Sequence, residues 1–405
     1  MNTLNVGKCR ELNKKNDLGT PTRTSSIQQQ FVPDRLRQLR LALGLSTIEF
    51  SDRIGVSRQA LNQFETNRIP PGYETILKIQ SVTGFPASYF FKPLSPVNEG
   101  PFLFRSNKTS LKKAKEMSRF VMLQMQEIYD YYSQYIDFTK VNFPTLDFDV
   151  NSSLEDIEDV AIAVRRHWGL GLGPISHVYR LLENNGVVIA QLDKRIDKVD
   201  AFSQWRNGIP FMIVGSKEFS ACRLRLNAMH EFAHLILHTD SDYEERANND
   251  KEFYDTIESQ AYRLAIAFLL PRESFLNELY STAIPHLIEL KQRWGVSLAA
   301  IVRRCKDLEI ITESRYEMLM RQIKKHGKIE PLDDEIERES PVSFRQAANL
   351  LISHGVKSRQ DILNELRIPS KFLETLNNVE NGFFFERETN NKVVEIRFNS
   401  SKALQ

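Results

Sequence analysis

Residues 224–238 read LRLNAMHEFAHLILH, and His230-Glu231-Phe232-Ala233-His234 at the centre form an HExxH motif. On a helix, His230 and His234 stand one turn apart and project from the same face. That spacing lets both imidazoles reach one Zn2+ at about 2.1 Å, with Glu231 beside a water on the metal. Zinc lowers the pKa of such a water, and a neighbouring carboxylate can take its proton, which makes a nucleophile fit for amide hydrolysis. Leu226, Met229, Ala233, Ile236 and Leu237 recur at helical spacing and predict a packed face, while Asn227, His230, Glu231 and His234 fall together on another.

A catalytic zinc site needs a third protein ligand and an open position. Residues 255–271, DTIESQAYRLAIAFLLP, place Ile257, Ala261, Leu264, Ala265 and Phe268 on one apolar stripe that ends at Pro271. Glu258 lies at the edge of that stripe, where a carboxylate is costly unless it is paired or binds metal. Zinc on an adjacent helix would offset that cost; pairing with Arg263 is the alternative. His238 follows His234 by four residues but has turned about 80° from His230. It is a supporting residue or, failing Glu258, the third ligand. Gln260 carries no charge to offer a metal.

These segments resemble the metallopeptidase domain of the ImmA/IrrE family. Its members carry HExxH followed by an E-x-x-A-x-x-x-A helix ending in L-L-x-P, matched here by Glu258, Ala261, Ala265 and Leu269-Leu270-Pro271. The resemblance puts the family's zinc glutamate at Glu258. Arg223-Leu224-Arg225-Leu226 is similar to the family's R-x-R-F, with Leu226 in place of the usual aromatic, and Phe232-Ala233 stand where many members have a smaller pair. The likeness extends over roughly residues 155 to 325 and implies a zincin-like α+β fold.

Two neighbouring stretches bear on the site. GIPFMIVGS at 208–216 is β-rich and predicts a strand or hairpin arm. As an edge strand it could hold an extended substrate by main-chain hydrogen bonds; as a core strand it could not. WGLGLGP at 168–174 looks superficially like a phosphate loop, but a helical segment precedes it rather than a strand, so Gly169 reads as a helix stop and Pro174 as the next helix start.

Near the N-terminus, Gly44, Gly55, Pro70-Pro71 and Gly84 divide residues 34–90 into short amphipathic helices. Leu36, Leu39, Leu41 and Leu43 are expected to pack the first, and Ile48, Phe50 and Ile54 the second. Ser57 caps a third that runs to Glu65. The segment resembles the XRE-type, lambda-repressor-like helix-turn-helix through L-R-x-L-R, I-G-V-S-R-Q-A-L and F-E-x-N-R-x-P-P. The resemblance places the third helix in the major groove, with Ser57, Arg58, Gln59, Asn62 and Gln63 against base edges or phosphates of a double-stranded DNA operator. Thr47 departs from the family's usual Gln in the second helix. Residues 31–92 hold eight Lys/Arg and five Asp/Glu, so 8 − 5 leaves +3, modest for a DNA binder. A homodimer is expected, because one such domain reads only a half-site.

The whole chain of 405 residues has a net charge of only +2, which confines nucleic-acid binding to a local surface. Its three cysteines are too few and too scattered for a disulfide framework or a zinc knuckle and suit a reducing compartment. No apolar run approaches membrane-spanning length, and a bacterial or phage cytoplasm is the expected location. The expected architecture is mainly α with a small β-sheet. A disordered leader (1–30) is followed by a helix-turn-helix domain (31–92), a linker and long helix (93–150), the metallopeptidase domain (151–329) and a small C-terminal α+β module (330–405). Within that module the sequence predicts helices near 343–353 and 358–377 and a hairpin in GFFFERETNNKVVEIRF at 382–398. The expected function is a DNA-binding regulator with a zinc-dependent endopeptidase that cleaves a specific partner, such as a repressor. The alternative is a non-catalytic repressor or antitoxin-like protein whose zinc fold is structural or sensory. Glu231 argues against it, since a purely structural site has no need of that carboxylate.

Overall fold

The computed structural model describes residues 30–103, 109–192, 201–215, 218–325, 327 and 329–385. Nearly all of the expected leader, Cys9 and most of the expected C-terminal hairpin lie outside the described residues. Ser46 and Ser57 accept hydrogen bonds from backbone N–H groups three residues on, starting α2 (Thr47–Ile54) and α3 (Arg58–Glu65). Gly55, at φ +68°, ends α2 and opens the turn between them. With α1 (Pro33–Ala42), α4 (Tyr73–Thr83) and a 3-10 turn (Ala87–Phe91), they close around Leu36, Leu39, Phe50, Ile54, Leu61, Phe64, Ile76 and Ile79. Two expectations fail here: Ile48 and Leu43 are exposed, because both point off the small core into solvent.

The long helix expected within 93–150 is α5 (Thr109–Tyr132). Next come α6 (Leu154–His167), α7 (Val178–Asn184), β1 (Val188–Gln191), β2 (Ala201–Arg206), β3 (Ile209–Val214) and α8 (Ala221–Leu237). Gly169, at φ +66°, stops α6 as expected, but Pro174 does not start α7; His177 caps it instead. After them are α9 (Tyr243–Asn249), α10 (Lys251–Leu269), α11 (Arg272–Glu278), α12 (Ile284–Trp294), α13 (Leu298–Asp307) and α14 (Glu313–Lys325). Three short helices finish the described chain: α15 (Ser343–Ser353), α16 (Arg359–Leu366) and α17 (Ser370–Asn377). The helix expected over 358–377 is thus split, and Pro369, with no N–H to donate, stands at the break. The described protein is mainly helical with one three-stranded sheet.

The strand order is β1-β3-β2, with β1 parallel and β2 antiparallel to β3. Asn207 and Gly208, both at positive φ, make the two-residue turn that suits the twist of the β2–β3 hairpin. The 208–216 segment therefore holds the central strand, and the edge strand near α8 is β2. Alternation along the strands divides the interior in two. Val188, Ala190, Phe202, Phe211 and Ile213 face a core shared by α1–α5 and α15–α17. Ile189, Met212 and Val214 face the core of α6, α8, α10, α12 and α13.

Helix α8 is sandwiched between sheet and α10, so Leu224, Ala228, Phe232 and Leu235 are buried along with Met229, Ala233 and Leu237 of the predicted stripe, whose other members Leu226 and Ile236 are only half-buried. Phe232 packs among Phe143, Trp168 and Phe268, where truncation to Ala would cost about 3–5 kcal/mol. The segment 330–341 is docked onto this layer. Glu330 and Asp333 pair with the fully buried Lys291 at 2.8 and 2.6 Å, and Glu339 pairs with Arg225. Helices α15–α17 then return to the core shared with α1–α5, through contacts such as Phe372 with Phe85 and Phe120.

Candidate metal centre and nucleic-acid interface

Helix α8 presents His230 and His234 one turn apart, and α10 packs against it with Glu258 facing the pair. Nε2 of His230 lies 3.1 Å from Nε2 of His234. The Glu258 carboxylate spans both, Oε2 being 3.4 Å from His230 Nε2 and Oε1 3.4 Å from His234 Nε2. Bonds of about 2.1 Å at tetrahedral angles set donor atoms about 3.4 Å apart, so this nitrogen–nitrogen–oxygen triangle fits a zinc-sized cation. Among the described residues these three form the one group of His, Cys, Asp and Glu side chains close enough to share a metal ion, with ligand atoms within 4.8 Å of one another. Arg263, the alternative partner of Glu258, instead pairs with Glu158 at 3.0 Å.

His238 is not part of that triangle. Its Nδ1 lies 2.9 Å from Nδ1 of His234, behind the ligand ring, and its Nε2 lies 3.0 Å from Oε1 of Gln260. Burial drives its pKa down to about 3, so the ring is neutral. Burial also opposes charge on Glu258, yet the hydrogen bond from His230 and the other interactions with the two imidazoles outweigh it and hold the carboxyl well below the usual range. The same hydrogen bond outweighs burial at His230, whose pKa is raised.

Glu231 is placed by a residue that the sequence reading did not single out. Ser203 on β2 donates its hydroxyl to Oε2 of Glu231 at 2.9 Å. Burial raises the Glu231 pKa, opposed by the charges of His234 and His230 and by the Ser203 hydrogen bond. The signal for Ser203 was faint: AFSQWR is buried along most of its length, which hides the alternation of a strand.

The outer edge of β2 is partly occupied by the chain itself. Gly100 N–H donates to Trp205 C=O at 2.8 Å, and Asn207 N–H to Asn98 C=O at 2.9 Å. Beyond this pairing, Pro101 and Leu103 line one pocket together with Ser203, Glu231, His234 and His238. Arg223 lies over the Phe219 ring and Tyr262 sits against Arg303, so both are engaged elsewhere. Tyr254 is half-buried one turn before Glu258, on the same face of α10.

In the N-terminal bundle, Ser57, Arg58, Gln59 and Asn62 are exposed along α3, and Gln63 is half-buried. Two of the eight basic residues there are internal. Arg40 pairs with Glu65 at 2.6 Å, and Arg35 with Glu127 of α5 at 2.7 Å. Cys222 and Cys305 are buried free thiols whose pKa values burial pushes up to about 11 and 12, far from the reactive range. No described helix is long and apolar enough to cross a membrane.

Residues 36–90 match a family model described as helix-turn-helix. Residues 182–306, from α7 to α13, match a peptidase-family model described as IrrE N-terminal-like domain, and the match contains Glu231 and all three converging donors. No curated protein matches the chain.

Proposed function

From a chain that joins an XRE-type helix-turn-helix domain to an IrrE-like domain of a metallopeptidase family, we propose a DNA-binding regulator that cleaves a specific protein partner with a zinc-dependent endopeptidase. The observation that carries this reading is the convergence of His230, His234 and Glu258 beside a half-buried carboxylate, Glu231, held by Ser203. A zinc ion held by the three would supply Lewis-acid polarisation of the scissile carbonyl and acidify a water. The chain's own residues do the rest. Ser203 engages Oε2 of Glu231, which leaves Oε1 to take a proton from the attacking water and return it to the leaving amine. The raised pKa of Glu231 suits both halves of that transfer. Tyr254, on the Glu258 face of α10, is the candidate donor to the carbonyl oxygen.

The substrate is an extended segment laid along β2. Trp205 C=O and Asn207 N–H both point outward, so alternation turns the backbone of Ser203 toward the same edge, next to Glu231. Because Asn98–Gly100 already pairs with part of that edge, generic proteins should be poor substrates, and a partner must compete with the chain's own segment. The partner class best matched to a DNA-bound regulator is a repressor at the same operator, with α3 supplying Ser57, Arg58, Gln59, Asn62 and Gln63 to the groove.

The test is zinc per chain in protein purified without added metal, for wild type, Glu258→Ala and Glu231→Gln. About one zinc in wild type and in Glu231→Gln, but loss in Glu258→Ala, is the expected pattern. Cleavage of the co-expressed partner should fall about 10²–10⁴-fold in Glu231→Gln. A folded wild type without metal, or regulation intact in Glu231→Gln, would favour the non-catalytic repressor instead.

A further inference from the structure

We infer that Gln260 and His238 are positioning residues, which lock His234 in its Nδ1–H tautomer and so turn the Nε2 lone pair toward the metal. The inference deepens the reading of His230, His234 and Glu258 as a zinc centre and rests on it for its purpose. The hydrogen-bond chain itself stands on geometry alone.

The direction of the chain is set at its far end by a backbone carbonyl, which can only accept. Nε2 of Gln260 lies 2.7 Å from the carbonyl oxygen of Val150, so the amide must present its NH2 there; reversed, two acceptors would face each other. With the amide so oriented, Oε1 of Gln260 faces Nε2 of His238 at 3.0 Å, and that nitrogen must carry a proton. His238 is buried, with Phe148 and Tyr243 rings beside it, and its nitrogens face an amide oxygen and another imidazole. A neutral ring protonated at Nε2 has a lone pair at Nδ1. Nδ1 of His238 lies 2.9 Å from Nδ1 of His234, so His234 is the donor in that pair. Its remaining nitrogen, Nε2, is then a bare lone pair, and it is the atom 3.4 Å from Glu258 and 3.1 Å from the His230 ligand nitrogen.

The opposite polarity would disable the site. A proton on His238 Nδ1 would be donated to His234 Nδ1 and would move the His234 proton to Nε2, where it blocks metal binding. One carbonyl on the strandless segment before α6 thus decides, three hydrogen bonds away, which face of His234 can bind. Residues that orient a metal ligand in this way are commonly worth 10–100-fold in affinity.

The experiment reads the histidine tautomers by two-bond ¹H–¹⁵N correlation in metal-free protein and zinc affinity by competition with a chelating dye. Wild type, Gln260→Met and Gln260→Glu are compared, with Met keeping the volume and Glu keeping an acceptor for His238. We expect His234 to be Nδ1–H in wild type and in Gln260→Glu. In Gln260→Met it should become a mixture, with zinc binding about 10–100-fold weaker. An Nε2–H His234 in the wild type overturns the inference, and so does a Gln260→Met protein with unchanged tautomer and affinity. Failure of the wild type to bind zinc, with the tautomer as stated, would overturn the metal-centre reading and leave the positioning chain standing.

Discussion

The hydroxyl of Ser203 donates to Oε2 of Glu231 across 2.9 Å, so an edge strand fixes a carboxylate that lies on α8 between His230 and His234. The hydrogen bond favours the ionised carboxylate, against the burial that raises the Glu231 pKa. Ser203→Ala should therefore raise that pKa further and move the acid limb of any peptidase activity to higher pH. Infrared difference titration, with Glu231→Gln as the blank, reads the carboxyl directly. A carboxyl that titrates at the same pH with and without the hydroxyl would sink the assignment.

Asn98–Gly100 pairs with the edge of β2 on which the proposed substrate would lie, and Gly100 is the weak point of that pairing. Replacement by Pro removes the N–H that Trp205 accepts, and even a Cβ at this position would meet the Trp205 Cβ at 3.0 Å. Losing one such hydrogen bond, worth about 1 kcal/mol, raises the open fraction roughly fivefold. Gly100→Pro should accordingly digest unstructured casein about five times faster than the wild type, whose own rate should be low. Equal rates in a steady-state fluorescence assay would show that this segment does not obstruct the edge.

Glu339 ties the segment after α14 to the layer of the metal centre. Burial works against its charge, but the hydrogen bond with His177, the Arg225 charge and the Tyr179 backbone N–H prevail, and its pKa is lowered from 4.5. A carboxylate with a depressed folded-state pKa contributes stability that is complete above the unfolded value and is lost as pH falls through the folded one. The stability gap between wild type and Glu339→Gln should hence be constant above about pH 5.5 and shrink below 4.5. Urea unfolding from pH 3 to 7 measures it, and a gap independent of pH would contradict the pairing.

Arg35 and Lys92 share the carboxylate of Glu127, at 2.7 Å each, and so join the helix-turn-helix bundle to α5, which in turn packs on β2 and β3. Glu127→Gln leaves the fully buried Arg35 without its counter-charge and should cost about 3 kcal/mol. Calorimetry should show the loss in the transition that melts this core; an unchanged profile would mean the backbone carbonyls of Lys92 and Pro93 suffice for Arg35.

Local spacing carried most of what could be read from the chain. HExxH, the Glu258 stripe and the Ser57 cap are all patterns within one or two helical turns, where sequence separation and spatial separation agree. Ser203 with Glu231, and Gly100 with Trp205, are separated by 28 and 105 residues, and no periodicity links such pairs. The same limit hid the central position of β3: a strand buried on both faces has no alternation to show which side it lies on. It also hid the docking of 330–341, whose acidic composition reads as a solvated linker until Lys291 and Arg225 are placed beneath it.

The exposed face of α3 separates base reading from mere charge. Arg58 and Gln59 follow the Ser57 cap at the helix N-terminus, the end that enters the groove in such domains. Only five of the eight basic residues in the bundle remain for DNA once Arg35 and Arg40 are taken inside and Lys92 pairs with Glu127, since 8 − 3 leaves 5. Specific contacts must therefore carry much of the affinity. With an operator selected from random duplexes, Arg58→Ala or Gln59→Ala should each weaken binding by about 1–3 kcal/mol and relax the preferred base at one position. Arg53→Ala, whose site is exposed late in α2, should at most change the salt dependence uniformly across sequences. Fluorescence anisotropy on matched and mismatched duplexes distinguishes the two behaviours, and equal losses on both duplexes for Arg58→Ala would place that residue on phosphate rather than on a base.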